Sequence, residues 1–280
     1  MTFRMEHVCF SYREKHRGSP LEVFRDLSLA IADGECLVLL GREGSGKSTL
    51  LFMLDGLTPP DSGTVLVGGK DPHADRRYGR EIRRRIACAF QFPEEQFLQA
   101  TVAEEFADFL AVRGVRDNEV PGRMASSLAF AGLAPESTGA RSPFTLSAGE
   151  SRRLVLALAH AARPDAVLLD EPTAGMDATA GAFLCRFVRE ERKRGTTIVV
   201  ATHDVDLAAE IADRVLILDD GRAAVEGNAG DVLTAGETLA CYGYEVPETV
   251  ALAEKLRTQG REIPGGLIGR AALLAMISPR

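Results

Sequence analysis

Cys36-Leu37-Val38-Leu39-Leu40-Gly41-Arg42-Glu43-Gly44-Ser45-Gly46-Lys47-Ser48-Thr49 is the stretch that decides how the rest of the chain is read. Five apolar residues predict a buried strand, the glycine-rich run predicts a loop, and Leu50-Leu51-Phe52-Met53-Leu54 beyond it predicts a helix. That order wraps backbone N–H groups around a polyphosphate at a helix N-terminus, where the dipole already favours negative charge. Gly41, Gly44 and Gly46 permit a backbone approach that side chains would block. Lys47 can reach β- and γ-phosphates, and the Ser48 hydroxyl can ligate Mg²⁺. Gly41 to Thr49 is therefore expected to bind a nucleotide.

Composition bounds the use of that nucleotide. At 280 residues and 45% hydrophobic content, the chain can bury one large core and still carry a small appendage. A net charge of −7 and a pI near 5.4 argue against a nucleic-acid binder, because no basic excess exists to displace counterions. Arg76, Arg77, Arg80, Arg83, Arg84 and Arg85 read as the solvated face of a helix. Cys9, Cys36, Cys88, Cys185 and Cys241 show no metal-like spacing and are expected to be buried reduced thiols. No run approaches the ~20 apolar residues that span a bilayer. Met1 to Glu6 carries an early acid and no apolar stretch, unlike a signal peptide, so any membrane role is expected to come through a partner.

Strands are expected at 3–12, 21–31, 35–40, 64–67 and 86–91, with a polar loop at 13–20 and a helix at 46–57. Helical periodicity from 102 to 133 predicts an inserted helical subdomain, followed by a loop at 135–143 and a long helix from Ala148. Strands at 166–170, 197–202, 215–218 and 223–226 alternate with helices at 178–193 and 204–212. Such alternation implies an α/β fold with a largely parallel sheet. Residues 228–246 read as loops, and two short helices close the chain near 247–259 and 270–277.

Val167-Leu168-Leu169-Asp170-Glu171-Pro172-Thr173 is an apolar strand that delivers two acids to its carboxyl end, the rim where parallel sheets bind ligands. One acid can hold Mg²⁺ and the other can deprotonate a water that attacks the γ-phosphate. Leu146-Ser147-Ala148-Gly149-Glu150 can be an ordinary helix N-cap or a second phosphate-binding helix terminus. With one phosphate loop per chain, the second reading points to a nucleotide held by another copy.

In their order along the chain, the phosphate loop, Phe90-Gln91-Phe92-Pro93, Leu146-Ser147-Ala148-Gly149-Glu150, Leu169-Asp170-Glu171-Pro172-Thr173 and Ala201-Thr202-His203-Asp204 resemble an ABC-type ATPase over residues 1–235. The resemblance implies a P-loop NTPase with a parallel-sheet core, an N-terminal antiparallel β subdomain, an inserted helical signature subdomain at about 92–162 and a C-terminal extension at 236–280. It implies that Tyr12 stacks on adenine, although Tyr12 also reads as a half-buried strand residue. It implies that Gln91 contacts Mg²⁺ and the attacking water, that Asp170 is the Mg²⁺-associated acid, and that Glu171 is the general base. His203 then contacts the γ-phosphate, and Ala174-Gly175-Met176-Asp177 crosses a dimer interface. Ser147 and Gly149 would meet the ATP held by Lys47 and Ser48 of another subunit.

Phe90-Gln91-Phe92-Pro93-Glu94-Glu95-Gln96-Phe97 is similar to the energy-coupling factor (ECF) ATPases, which serve vitamin and cobalt or nickel importers. So is Tyr244-Glu245-Val246-Pro247-Glu248-Thr249-Val250, within a tail that is either a dimerisation element or a pair of helices covering the core. The partners this implies are a second ATPase subunit, identical or paralogous, a transmembrane coupling protein and a substrate-binding membrane component, with the chain at the cytoplasmic face of the membrane. Phe92, Phe97 and Leu98 are either anchors for the membrane partner or local core. A conventional ABC transporter subunit, and a soluble ABC ATPase, are the alternatives. Two departures stand out: Ala148 replaces the usual glycine of the signature, and Arg42-Glu43 replaces the usual proline and asparagine of the loop.

Overall fold

In the computed structural model, which describes residues 1–12, 20–173 and 178–277, the chain opens with strands β1 (Phe3–Tyr12) and β2 (Leu21–Ile31). The loop expected between them lies outside the described residues except for Pro20. Phe3, Met5, Val8 and Phe10 of β1 are buried, so the alternation changes phase once. The cause is a bulge: His7 has a φ of 50° and the register to β2 shifts between Met5 and Val8.

Strand β3 (Cys36–Leu40) leads into helix α1 (Lys47–Leu54), followed by β4 (Ser62–Val67), α2 (Arg76–Arg85) and β5 (Ile86–Ala89). Helix α1 stops three residues before the expected 57, because Gly56 takes a φ of 68°. β5 ends two residues short of Gln91, freeing that side chain from the ladder. Arg76, Arg77, Arg80 and Arg84 are exposed, as expected of a solvated helix face, while Arg83 donates to the Gly56 carbonyl at 3.0 Å.

The helical insertion comprises α3 (Val102–Val112), α4 (Val120–Phe130), α5 (Pro135–Thr138) and α6 (Ala148–Ala162). The expected loop at 135–143 thus contains a turn of helix, begun by a proline at its first position. Capping boxes open α3 and α6, Thr101 with Glu104 and Ser147 with Glu150. Phe106, Leu110, Leu128 and Leu154 are fully buried between these helices, each worth roughly 1.5–3 kcal/mol.

Then come β6 (Ala166–Asp170), α7 (Ala178–Lys193), β7 (Thr197–Thr202), α8 (Val205–Ile211), β8 (Arg214–Asp219) and β9 (Arg222–Asn228). Two sheets result. One is antiparallel with order β2-β1-β4; the other has order β5-β6-β7-β3-β8-β9 and is parallel except for its edge strand β9. β3, β6 and β7 are buried from end to end. Alternate residues feed opposite cores: Val38, Leu40, Val167 and Leu169 face one, and Leu37, Leu39, Leu168 and Val199 face the other.

Residues 228–246 are not the loops the sequence suggests. They hold α9 (Ala229–Thr234) and α10 (Gly236–Cys241), with the Asn228 side chain accepting from the Gly230 N–H at 2.9 Å to start the first. Helices this short carry no periodic signal; Val232, Leu233 and Leu239 form them by packing onto the main core. Cys241 is exposed, contrary to the expectation of buried thiols, and Cys9 and Cys88 are half-buried; all five cysteines are free. The chain closes with α11 (Glu248–Thr258) and α12 (Arg270–Ile277) around Ala253, Ile263 and Leu273. This pair docks on α8, where Asp206 accepts from the Glu248 N–H at 2.7 Å and Glu210 from the Arg270 N–H at 2.5 Å.

A buried charge cluster joins the insertion to the sheet. Asp55, the C-cap of α1, lies against the Cys88 thiol of β5 and faces Arg113, the C-cap of α3. Burial pushes the Asp55 carboxyl up to about 7, against the pull of Cys88, Arg83 and Arg113. Arg113 spends two N–H groups on the carbonyls of Phe109 (3.1 Å) and Ile86 (3.2 Å) and stacks 3.6 Å from the Phe109 ring centroid.

Candidate nucleotide site

The carboxyl ends of β3, β6 and β7 converge on one cavity of about 550 Å³. It is lined by the loop from Glu43 to Thr49 together with Tyr12, Gln91, Asp170, Glu171 and His203. The loop geometry follows from its glycines. A Cβ on Gly41 would fall 2.4 Å from Ser45 Oγ and 2.7 Å from the Leu218 carbonyl oxygen. Gly46 has a φ of 102°, and its Cβ would fall 2.8 Å from both Phe24 and Val23. Gly46 is also the N-cap of α1, and no side chain caps that helix, so its first-turn N–H groups are left for a ligand in the cavity. This is a cradle that fits phosphate.

Lys47 is only 8% exposed. Its ammonium donates to the carbonyls of Gly41 (2.7 Å) and Arg42 (3.2 Å) and stands 3.7 Å from Glu171 Oε1. Ser48 stands beside the Asp170 carboxyl, which burial holds above its ordinary range while Ser48 and Lys47 pull it back. Among the described residues, no group of three or more His, Cys, Asp and Glu could hold a metal unaided. A hydroxyl and one carboxylate are instead the sparse, hard donor set that suits Mg²⁺ shared with phosphate oxygens.

Glu171 turns the chain at the end of β6 with a φ of 44°, a left-handed conformation that costs a non-glycine residue about 1 kcal/mol or more. Its N–H donates to Ala201 O at 2.8 Å, which fixes the turn against β7. The carboxylate accepts from Thr202 Oγ1 (3.3 Å) and His203 Nδ1 (3.0 Å). His203 is otherwise open, with 71% of its side chain exposed. The Tyr12 ring, 41% exposed, meets Phe10 edge to face at 4.9 Å, and its hydroxyl shares a 3.1 Å hydrogen bond with Thr49 Oγ1. It is thus a partly exposed strand tyrosine that also walls the cavity.

Other expected site residues lie elsewhere. Gly41 is buried beneath the loop, and the Arg42 side chain turns away from the cavity toward the Tyr242 carbonyl, 3.4 Å distant. Ser147 is exposed at the N-cap of α6, with its hydroxyl donating to Glu150 Oε2 at 3.0 Å, and neither it nor Gly149 lines the cavity. Arg141 pairs with Glu150 at 2.7 Å and, first among the causes, holds that carboxyl down at about 2. Ala174 to Asp177 lie outside the described residues.

A family profile described as ABC transporter matches residues 24–174. The energy-coupling factor transporter ATP-binding protein EcfA2 of Symbiobacterium thermophilum is 38% identical over 252 residues, covering 90% of this chain and 87% of that protein. The chain belongs to the ABC transporter ATP-binding family. The cobalt import ATP-binding protein CbiO of Rhodobacter capsulatus is another relative, 40% identical over 228 residues and 81% of each chain. Among solved structures of the family, a dimeric ATP-binding cassette in a post-hydrolysis state, bound to ADP and Pi, overlays with a TM-score of 0.74 at 27% identity. It covers 81% of this chain and 98% of that one. The cbiO1 structure from Clostridium perfringens, part of the cbiONQ complex, gives 0.72 at 27% identity over 90% and 98%.

Within this ABC cassette, sequence reasoning missed several residues that shape the site. Gln96 clamps the Gln91 loop by accepting from the Phe90 N–H (3.0 Å) and donating to the Cys88 carbonyl (3.2 Å). Arg152 of α6 donates to the Glu171 carbonyl at 3.3 Å, tying the signature helix to the turn. Glu105 accepts from the N–H groups of Leu98 and Gln99, both at 2.9 Å. A glutamine five residues after Gln91 was visible in the sequence; Arg152 joins two separate elements, and Glu105 folds back onto the loop just before its own helix, and neither left a periodic signal.

Proposed function

We propose that this chain binds and hydrolyses ATP at the cavity over β3, β6 and β7, and thereby energises uptake of a vitamin or transition-metal ion by an ECF-type importer. The observation that carries the reading is the single cavity that gathers Lys47, Ser48, Gln91, Asp170, Glu171 and His203 from well-separated stretches. Loop N–H groups and Lys47 hold the β- and γ-phosphates, and Tyr12 stacks on the base. Bound Mg²⁺ neutralises phosphate charge, and Ser48 and Asp170, with Gln91 beside them, are the donors that hold it. Glu171, kept in place by Thr202 and His203, accepts a proton from water as the water oxygen bonds to the γ-phosphorus and the bond to ADP breaks. His203 then offers an N–H to the γ-phosphate oxygens.

Ser147 and Gly149 do not line their own chain's cavity, which supports a two-subunit arrangement in which each signature closes on the partner's ATP, alongside Asp177. The methyl of Ala148 sits on the exposed first turn of α6, where it obstructs nothing in its own chain. The second subunit is identical or paralogous. No described helix is long and apolar enough to cross a membrane. In this reading, which the named relatives support, membrane components complete the importer and this chain attaches peripherally at the cytoplasmic face. Phe97 belongs to the core, whereas Phe92 (51%) and Leu98 (76%) are exposed beside the Gln91 loop and are the anchors for that contact. The relatives named for energy-coupling factor transport and cobalt import favour this importer over a conventional ABC transporter.

The test is Glu171→Gln. Turnover should drop about 10²- to 10⁴-fold while an ATP-bound dimer accumulates on size-exclusion chromatography. A variant that cycles freely would remove Glu171 from the role of base.

A further inference from the structure

The C-terminal segment makes an unexpected approach to the phosphate loop. Helix α10 ends in a turn closed by three N–H groups: Tyr242 and Tyr244 donate to Leu239 O and Gly243 donates to Ala240 O, each at 3.0 Å. Gly243 has a φ of 81°, and a Cβ there would come within 3.2 Å of the Arg42 guanidinium. Arg42 donates through Nε to the Tyr242 carbonyl at 3.4 Å. One residue further on, the Tyr244 ring packs on the main core, and its buried hydroxyl has no hydrogen-bond partner of normal geometry. That hydroxyl stands beside the Gly41 backbone and within the field of Glu171, and burial raises its pKa above the ordinary phenol value.

Both contacts land on the two residues that matter for Lys47. The carbonyls of Gly41 and Arg42 are the acceptors of the Lys47 ammonium. The same segment continues into Glu248, whose N–H is held by Asp206 on α8, three residues beyond His203. Residues 242–248 therefore bridge the start of the phosphate loop and the helix that follows the histidine.

We infer that the turn from Tyr242 to Tyr244 is a positioning element of the nucleotide site, with Arg42 and Tyr244 fixing residues 41–42 and through them Lys47. The arginine in place of the loop's usual proline then has a purpose: it anchors the loop to the tail. Neither residue touches the reacting atoms, so the effect falls on nucleotide affinity more than on the chemical step.

This rests on the loop from Gly41 to Thr49 being the nucleotide site, so Lys47→Ala is measured alongside. Binding of a fluorescent ATP analogue to the full-length chain, thermal melting, and kcat and KM for ATP are recorded for Arg42→Ala, Arg42→Lys and Tyr244→Phe. Arg42→Ala should raise Kd about threefold to tenfold, the range for one ordinary hydrogen bond, whereas Tyr244→Phe, which keeps the ring and removes a hydroxyl without a hydrogen-bond partner of normal geometry, should leave Kd within about twofold. KM should rise in parallel while kcat changes less than about twofold. Arg42→Lys, which keeps a donor near Tyr242 O, should recover much of the loss. Arg42 is exposed, so its variants test the idea even if Tyr244→Phe melts early. Unchanged Kd in Arg42→Ala, with binding lost in Lys47→Ala, would overturn the positioning role. Unchanged Kd in Lys47→Ala would instead overturn the site assignment beneath it.

Discussion

Asp55→Asn should make this protein more stable at pH 8 and erase a pH dependence that the wild type carries. The Asp55 carboxyl rises from 3.8 to about 7 on folding, chiefly through burial. At about 1.4 kcal/mol per pH unit, that difference amounts to about 4 kcal/mol. Between those two values the native state holds a proton that the unfolded chain has released, so stability declines as pH rises from 3.8 to about 7 and then levels off. An asparagine is neutral throughout and can still accept from Cys88, so its curve should lack this slope. Urea unfolding from pH 5 to 8 reads the effect directly: the two proteins should diverge as pH rises, with the variant ahead by at least ~2 kcal/mol at pH 8. Arg83 and Arg113 are the cations that face the carboxyl and could reverse the sign. If Asp55→Asn proves the less stable protein at pH 8, the ionised carboxylate is a net favourable partner of Arg113 and the burial argument fails.

Arg141→Ala should lower the melting temperature slightly by loosening the Glu150–Ser147 cap, as a thermal melt would show. It should also remove stability that Glu150 supplies above pH 4.5 and surrenders as pH falls toward about 2, which acid titration of both proteins would record. Phe106→Ala empties a fully buried site between α3 and the rest of the insertion and should cost about 3–5 kcal/mol in chemical denaturation. Leu98→Glu, on the exposed shoulder held by Glu105, should reduce recovery of the membrane components with the chain by more than about tenfold in affinity purification.

The sequence was most legible where hydrophobic pattern and function coincide. β2, β6, β7 and α7 begin and end where periodicity places them, because continuous or alternating apolar residues leave one register that buries them. Lys47, Ser48, Asp170 and Glu171 could be placed at one rim because each follows closely on a strand end, whereas His203 was named through the family resemblance. α9 and α10 stayed hidden because six residues cannot display a helical period, and their stability comes from packing, α9 on β8, β9 and α8, and α10 on α9. The left-handed turn at Glu171 was equally unreadable: nothing about a glutamate announces a positive φ, which β7 imposes through Ala201. Arg42 looked like a simple departure from the usual loop until its partner, 200 residues away, was in view.

Strand order has a last consequence, for synthesis on the ribosome. β3 carries the phosphate loop, yet its two neighbours in the sheet are β7 and β8, which end at Thr202 and Asp219. A nascent chain that has emerged only as far as the helical insertion has no ladder on either side of Cys36–Leu40 and no Leu218 carbonyl behind Gly41. Parallel pairing over such separations is slow and cannot precede its partners. The first ligand-binding motif to be translated is therefore among the last to take shape, and a truncated product ending before β7 should be blind to ATP.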